Sequence, residues 1–232
     1  MSATRNPGRF AGLLYVLTSI AGFFAMGYVP SKLIVHGNAA ATASNIAASE
    51  TLFRLGIAGQ LISEAGFIFV ALALYDLLKG VNRRQASLMV TLILISIPIA
   101  FLNELNSFAA LELVRGADFL SVLEKPQRDA LAMLFLHLHG RGFVIAEMFW
   151  GLWLFPLALL VYKSGFLPRF LGVWLALAGL GWVILSVTGI LLPEYQDKVN
   201  TYLQPAIFGE IVFMLWLLIK GAKPRAADPV VA

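Results

Sequence analysis

The chain contains no cysteine among its 232 residues. Disulfide bonds, thiolate catalysis and cysteine-ligated zinc or iron–sulfur centres are therefore excluded. Charged residues are also scarce, at 13% of the sequence against about 25% in an average soluble domain. Apolar residues make up 59%, and one soluble core of this size cannot bury so much apolar surface. The composition disfavours a soluble enzyme, a disordered protein and a nucleic-acid-binding module.

Six apolar stretches are long enough to cross a bilayer, whose core of about 30 Å needs roughly 20 helical residues. They cover about residues 10–30, 53–78, 86–108, 134–162, 170–192 and 201–219. Pro205 falls in the first turn of the sixth stretch, where a proline is tolerated. The first stretch is longer than the apolar part of a signal peptide, so we interpret it as a retained span. The sequence thus predicts an all-α polytopic membrane bundle of about six transmembrane helices, forming a single domain over 1–232.

The basic residues outside the spans predict the orientation of the chain in the membrane. The two termini and the second and fourth connections carry these lysines and arginines: Arg5, Arg9, Lys79, Arg83, Arg84, Lys163, Arg169, Lys220, Lys223 and Arg225. Their acidic counterparts are Asp76 and Asp228, whereas the opposite side mixes both signs. The positive-inside rule therefore places both termini in the cytoplasm. The net charge of +4 reflects this topology, and we expect no nucleic-acid partner.

Two connections on the predicted outer side are long, at about 31–52 and 109–133. The first is rich in alanine over 37–50, which favours an interfacial or lid-like helix. In the second, Pro126 marks a turn or a helix start. Loops of this length often carry function, and the alternative is a simple crossover between helices that are not neighbours.

Four glutamates fall within the predicted spans, where an ionisable side chain costs at least about 2.5–3.5 kcal/mol and is a functional candidate by default. They are Glu64, Glu104, Glu147 and Glu210, and Arg141 is the basic residue that we expect to balance them within the spans. Counted along helices from the basic ends, Glu64 and Glu147 lie in the outer half of the bilayer and Glu210 lies near its middle. Glu104 lies near the outer interface, where we expect a solvated carboxylate.

Helical spacing places further polar and aromatic side chains on shared faces. Gln60 and Glu64 are one turn apart. The other grouped residues are Asn103, Asn106 and Ser107 beside Glu104, and His139, Trp150 and Trp153 on the fourth span, with His137 and Arg141 at its outer end. We expect these groups to converge on one cavity in the outer half of the bilayer.

Each group also has a purely structural interpretation. A carboxyl group inside a membrane can serve as a hydrogen bonder between helices, worth about 0.6–2 kcal/mol. Glu147 can pair with Arg141 or His139, and Trp150 and Trp153 are more typical of packing or interface aromatics than of a platform for a ligand. Histidines two residues apart do not share a helix face, so the sequence predicts no metal site, and it identifies no cofactor.

Four segments together carry a family resemblance. They are Leu52–Ala58 at the second span, Leu138–Phe143 at the fourth, Tyr162–Arg169 with its Ser-Gly-Phe-Leu-Pro-Arg connection, and Gly209–Glu210 followed by Leu215–Leu218. With these segments the chain resembles an uncharacterised family of small bacterial membrane proteins, one of the families named for a domain of unknown function. The resemblance implies six or seven spans, a bacterial cytoplasmic (inner) membrane and no established activity. It also implies a histidine where this chain has Trp153, so a metal or haem site pairing that position with His139 is incomplete here.

The leading functional hypothesis is a membrane enzyme that does acid–base chemistry, such as isomerisation, cyclisation or hydrolysis, on an amphiphilic or isoprenoid-like lipid. The predicted catalytic residues are Glu64 and Glu147 as acid and base, His139 and Arg141 as orienting groups, and Glu210 as a supporting or alternate acid. The predicted substrate-binding residues are Gln60, Asn103, Glu104, Trp150 and Trp153. One alternative is a proton- or cation-coupled transporter or export permease. Another is a non-catalytic assembly or sensory partner, and a homo-oligomer is compatible with each.

Overall fold

The computed structural model describes residues 6–223, and nine α-helices account for most of that part. Their bounds are α1 Pro7–Phe23, α2 Val29–Leu33, α3 Ala39–Ala48, α4 Glu50–Leu78, α5 Arg83–Arg115, α6 Lys125–Leu152, α7 Leu154–Lys163, α8 Arg169–Leu191 and α9 Gln196–Ile219. A π-helical segment, Phe24–Tyr28, joins α1 to α2, and short 3-10 turns occur at Asp118–Leu120 and Pro193–Tyr195. Residues 6–223 contain no β-strand, so the all-α prediction is confirmed.

Within residues 6–223, six helical segments are long and apolar enough to cross a membrane, as the sequence predicts. They are Pro7–Leu33, Glu50–Leu78, Arg83–Arg115, Lys125–Lys163, Arg169–Leu191 and Pro193–Ile219. Large apolar side chains on these segments are exposed on the protein surface, among them Phe23, Ile62 and Leu102. Because a soluble protein rarely exposes apolar surface on this scale, the chain is a multi-pass membrane protein.

The third and fourth spans extend beyond their apolar stretches. α5 continues to Arg115, and α6 begins at Lys125 with Pro126 in its first turn. A proline fits this place because the first amides of a helix have no partner within it, so the helix start at Pro126 is confirmed. Hydropathy underestimates both lengths, since backbone hydrogen bonds continue a helix after its side chains become polar.

The sixth span corrects one expectation. α9 begins at Gln196, so Pro205 lies inside the helix and not in its first turn. The polar residues ahead of the apolar stretch are helical, and Asp197 in the first turn interacts favourably with the helix dipole. The backbone carbonyl of Pro205 accepts a 3.0 Å hydrogen bond from the indole N–H of Trp174, which ties α9 to α8.

The fourth span consists of two helices that meet at Trp153. Pro156 lies in the first turn of α7 and has no amide hydrogen for the carbonyl group of Leu152. The shared face expected for His139, Trp150 and Trp153 assumed an unbroken helix, and Trp153 lies at the junction of α6 and α7.

The first outer connection contains the predicted alanine-rich helix, α3. Its N-cap is Asn38, whose Oδ1 accepts a 2.9 Å hydrogen bond from the amide of Ala41. The Thr42 hydroxyl hydrogen-bonds to the backbone of Val35, and the Asn45 amide donates to the carbonyl of Leu33 at 3.3 Å. α3 is therefore anchored to the end of the first span by polar contacts with the backbone.

Contacts along the chain group the helices into two compact units. Thr18–Gly66 and Ser96–Ala146 form the loop unit, named for the two long connections that it contains. The described residues 6–17, 67–95 and 147–223 form the terminal unit. The single domain expected from the sequence stays a prediction.

One apolar cluster of the loop unit is built from four helices. This buried cluster comprises Val29, Leu33, Ile46, Phe53, Ile57 and Leu111. These side chains belong to α2, α3, α4 and α5, so α3 contributes to the core through Ile46.

In the terminal unit, α8 packs against both α7 and α9. Glycines allow close approach: a Cβ atom at Gly151 would lie 2.6 Å from the carbonyl oxygen of Gly179. Small residues at such contacts are typical of helix packing in membranes, where tight van der Waals contact replaces the hydrophobic effect.

Three residues that enter the charge-based topology, Arg5, Arg225 and Asp228, lie outside the described residues. The cytoplasmic placement of both termini stays a prediction.

Candidate functional site

The loop unit encloses a cavity of about 230 Å³. Its wall is mostly apolar, with Val29, Leu33, Phe53, Ile57, Leu136 and Phe143 among the lining residues. The polar lining residues are Gln60, Glu104, Ser107 and His139. A small number of polar groups in an apolar cavity is the usual composition of a ligand site.

The central polar contact of the cavity is between α5 and α6. Nε2 of His139 lies 2.7 Å from Oε1 of Glu104. The Glu104 side chain is only 3% exposed and the His139 side chain is 21% exposed. The expectation of a solvated Glu104 is therefore wrong: burial between the helices, with an imidazole as partner, takes this carboxylate away from water.

Neighbouring groups fix the position of His139. The side-chain amide of Asn103 donates a 2.9 Å hydrogen bond to the backbone carbonyl of His139, and the Phe143 ring packs edge-on against the imidazole at 4.7 Å between centroids. Glycine at residue 142 leaves space for the Asn103 side chain, because a Cβ atom there would lie 2.0 Å from Oδ1 of Asn103. The Asn106 amide in turn donates to Oδ1 of Asn103 at 3.2 Å, which confirms that these asparagines share a face.

α4 contributes a second polar pair. Nε2 of Gln60 donates a 3.0 Å hydrogen bond to Oε1 of Glu64, as the one-turn spacing predicts. Both residues are buried, at 3% and 6% exposure. The other amide atom, Oε1 of Gln60, is buried and has no hydrogen-bond partner among the described residues. Gln60 lines the cavity, so this free acceptor belongs to the candidate site.

Arg141 lies one helical turn beyond His137, and its Nε donates to Nε2 of His137 at 3.3 Å. His137 is exposed and outside the cavity wall. An orienting role for Arg141 toward a ligand stays a prediction.

The terminal unit contains its own polar contact. The Tyr15 hydroxyl hydrogen-bonds to Oε1 of Glu210, which joins α1 to α9. The Tyr15 ring packs edge-on against Phe67 at 5.5 Å and lies 6.2 Å from the Trp153 ring. Trp153 is 2% exposed, and this environment favours its packing role.

Two other predicted residues also lie in the terminal unit. The Trp150 ring contacts the Trp182 ring edge-on at 5.4 Å. Oε2 of Glu147 is buried and has no hydrogen-bond partner among the described residues. The polar groups of α6 thus fall in both units, since α6 crosses the boundary between residues 146 and 147.

The predicted site residues therefore fall into two sets. The loop unit contains Gln60, Glu64, Asn103, Glu104, His139 and Arg141, and the terminal unit contains Glu147, Trp150, Trp153 and Glu210. Convergence of both sets on one cavity stays a prediction. Among the described residues, no three histidine, aspartate or glutamate side chains are arranged to hold a metal ion.

Sequence reasoning missed Tyr15 as the partner of Glu210. The available signal was a tyrosine within an apolar span, because a buried phenol needs a hydrogen-bond partner. Spacing along the sequence did not identify Glu210 as the partner of Tyr15, since the two residues are 195 positions apart.

Comparison with known proteins gives a family and no activity. An uncharacterized protein of Archaeoglobus fulgidus is 31% identical over 156 residues, which cover 67% of this chain and 77% of that protein. No solved structure matches the chain. The family model described as "Domain of unknown function (DUF4386)" matches residues 10–221. With nearly its whole length matched, from the first span to the end of the last, the chain belongs to the DUF4386 family.

Proposed function

We propose that the protein binds one end of an amphiphilic, lipid-like molecule in the loop-unit cavity and transfers protons to or from it through Glu104 and His139. The observation that carries this proposal is the buried 2.7 Å contact between these two side chains in the wall of an apolar cavity. The proposal makes the protein a membrane enzyme that acts on a lipid or isoprenoid-like substrate.

The size of the cavity supports a partly inserted ligand. About 230 Å³ equals the liquid volume of roughly seven or eight water molecules at about 30 Å³ each. This is less than the roughly 300–1,000 Å³ of pockets that enclose a drug-sized molecule. Met26 lines the cavity and is 40% exposed on the apolar surface. An amphiphile can therefore place its polar end beside His139 while its tail remains in the bilayer.

The contact between Glu104 and His139 suits proton transfer. A carboxylate that hydrogen-bonds to one nitrogen of an imidazole fixes the orientation of the ring and stabilises the imidazolium form, as in hydrolase triads. The second nitrogen, Nδ1 of His139, takes no part in the contact with Glu104. It is the atom that can take a proton from a ligand or return one. Isomerisation, cyclisation and hydrolysis are the reaction classes that such a group supports.

The other predicted roles remain proposals of the same kind. Glu64 acts through Gln60, to which it is hydrogen-bonded, and Glu147, Arg141 and Glu210 keep the roles that the sequence indicates. We place the protein in the cytoplasmic membrane of a bacterium with both termini inside. The distribution of basic residues supports the orientation.

The test detects proton transfer and does not require that the substrate be identified beforehand. Purified protein in nanodiscs is incubated in D₂O with a lipid extract from its source membrane, and the extract is analysed by mass spectrometry. We expect a lipid that gains deuterium at carbon or the mass of water, and loss of that signal in Glu104→Gln and His139→Ala. His36→Ala is the matched control, because His36 is exposed in the first outer connection. An extract unchanged by the wild-type protein would contradict the enzymatic proposal.

A carrier is the second candidate, and one observation favours it. The first span changes from α- to π-helix at Phe24–Tyr28, and Ala25 and Met26 of that segment line the cavity. Interrupted helices often form the binding sites of transporters, and π-helical segments are frequent at functional sites. The test measures uptake of a lipid-like amine into proteoliposomes under an imposed pH gradient. Uptake that depends on the gradient would support the carrier, and uptake that does not depend on it would contradict coupling to protons.

A further inference from the structure

The loop-unit cavity contains a buried hydrogen-bond acceptor that has no donor among the described residues. Gln60 is 3% exposed, and its Nε2 is engaged by Glu64 at 3.0 Å, so its free atom is the acceptor Oε1. The nearby carboxylate of Glu104 accepts as well. A buried acceptor without a donor is unfavourable, so a molecule that fills this cavity gains most when its polar end donates hydrogen bonds.

The charged side chains around the cavity are also acidic and not basic. Two carboxyl groups belong to this part of the loop unit: Glu104 lines the cavity, and Glu64 is hydrogen-bonded to the lining residue Gln60. Among the described residues that line the cavity, none is lysine or arginine.

Several basic side chains elsewhere in the loop unit are engaged with other groups. Arg54 binds Glu50 at 2.7 Å, Lys125 binds Asp129 at 2.6 Å, and Lys32 lies over the Tyr28 ring. The remaining contacts of this kind are Arg115 with Glu50 and Glu112, and Arg141 with His137. In these contacts the Glu104 carboxyl has His139 as its partner, and the Glu64 carboxyl has the uncharged amide of Gln60.

The apolar wall is also suited to a cation. Phe53 and Phe143 line the cavity, and the face of an aromatic ring attracts a cation within about 6 Å. An anion, by contrast, meets the Glu104 carboxyl group and the acceptor of Gln60.

We propose that the ligand of this cavity is a cationic amphiphile whose polar end is an ammonium or similar N–H-bearing group, placed between Oε1 of Gln60 and the Glu104 carboxylate. This inference rests on the proposed function, because it assumes that an amphiphile enters the cavity. It adds the chemical class of the ligand's polar end, which the shape and the apolar lining of the cavity do not determine.

The experiment compares three probes that share a six-carbon tail: hexylammonium, hexan-1-ol and hexanoate. Binding to the purified protein in mild detergent is measured by calorimetry at neutral pH, after subtraction of partition into protein-free micelles. We expect hexylammonium to bind at least about tenfold more tightly than hexanol, as a charge-assisted hydrogen bond implies, and hexanoate to bind most weakly. Glu64→Gln and Glu104→Gln should each reduce the preference for hexylammonium over hexanol by about fivefold or more. Glu112→Gln, an exposed carboxylate on α5, should leave it unchanged.

The outcomes separate this inference from the proposed function. If hexanol or hexanoate binds as tightly as hexylammonium, the cationic class is wrong while the cavity remains an amphiphile site. If none of the probes binds, the cavity is not an amphiphile site and both proposals fail. The comparison among probes uses the wild-type protein, so it holds even where a variant fails to fold.

Discussion

Replacing Gly142 by alanine should destabilise the protein, although alanine is the better helix former. A Cβ atom at residue 142 would lie 2.0 Å from Oδ1 and 2.3 Å from Cγ of Asn103. Atoms cannot approach so closely, so the buried Asn103 side chain has to move. Its 2.9 Å hydrogen bond to the carbonyl of His139 then breaks.

The expected magnitude follows from three contributions. Overpacking typically costs about 1–3 kcal/mol, and loss of a hydrogen bond between membrane helices costs about 0.6–2 kcal/mol. The higher helix propensity of alanine offsets about 1 kcal/mol of this loss. We therefore expect the free energy of unfolding of Gly142→Ala to fall by about 1–4 kcal/mol.

Gly140 offers a matched control on the same helix. A Cβ atom at Gly140 meets nothing within 4 Å, so Gly140→Ala should be neutral or slightly stabilising. Unfolding of both variants in mixed micelles, followed by circular dichroism as denaturing detergent increases, measures the difference. Equal stabilities for the two variants would refute the close packing of α5 against α6 at Asn103.

Three further predictions concern other parts of the chain. Tyr15→Phe keeps the ring contacts but removes the hydroxyl partner of Glu210, so we expect a loss of about 1–3 kcal/mol in the free energy of unfolding; unchanged stability would show that this hydrogen bond contributes nothing. Asn38→Ala removes the N-cap of α3 and should cost about 1 kcal/mol, seen as faster amide hydrogen exchange confined to α3, whereas unaltered exchange would contradict a stabilising cap. Because the chain has no cysteine, single substitutions His36→Cys and Gly80→Cys can be labelled individually in intact spheroplasts. A membrane-impermeant maleimide should label the first and reach the second only after lysis, and the reverse pattern would contradict the predicted orientation.

The candidate site shows which contacts helical spacing predicts and which it does not. The pair Gln60 and Glu64 follows from positions four apart on one helix, because such residues always share a face. The contact between Glu104 and His139 joins residues 35 apart on different helices, and no spacing rule predicts it. Counting residues from Arg84 gives only the position of Glu104 along its span, so the expectation of a solvated side chain was wrong because it left out the neighbouring helix.

The amino-acid sequence by itself determined the class of protein and the number of spans, because a bilayer of fixed thickness requires apolar stretches of fixed minimum length. It also determined which polar residues lie at membrane depth and which share a helix face. Only the tertiary structure decided which faces meet: Glu104 with His139 beside a cavity, and Tyr15 with Glu210 in the other unit. The physical reason is that each helix can rotate about its axis without changing its own hydrogen bonds, so the rotation is set by packing against neighbours, through close contacts such as that of Gly142 with Asn103.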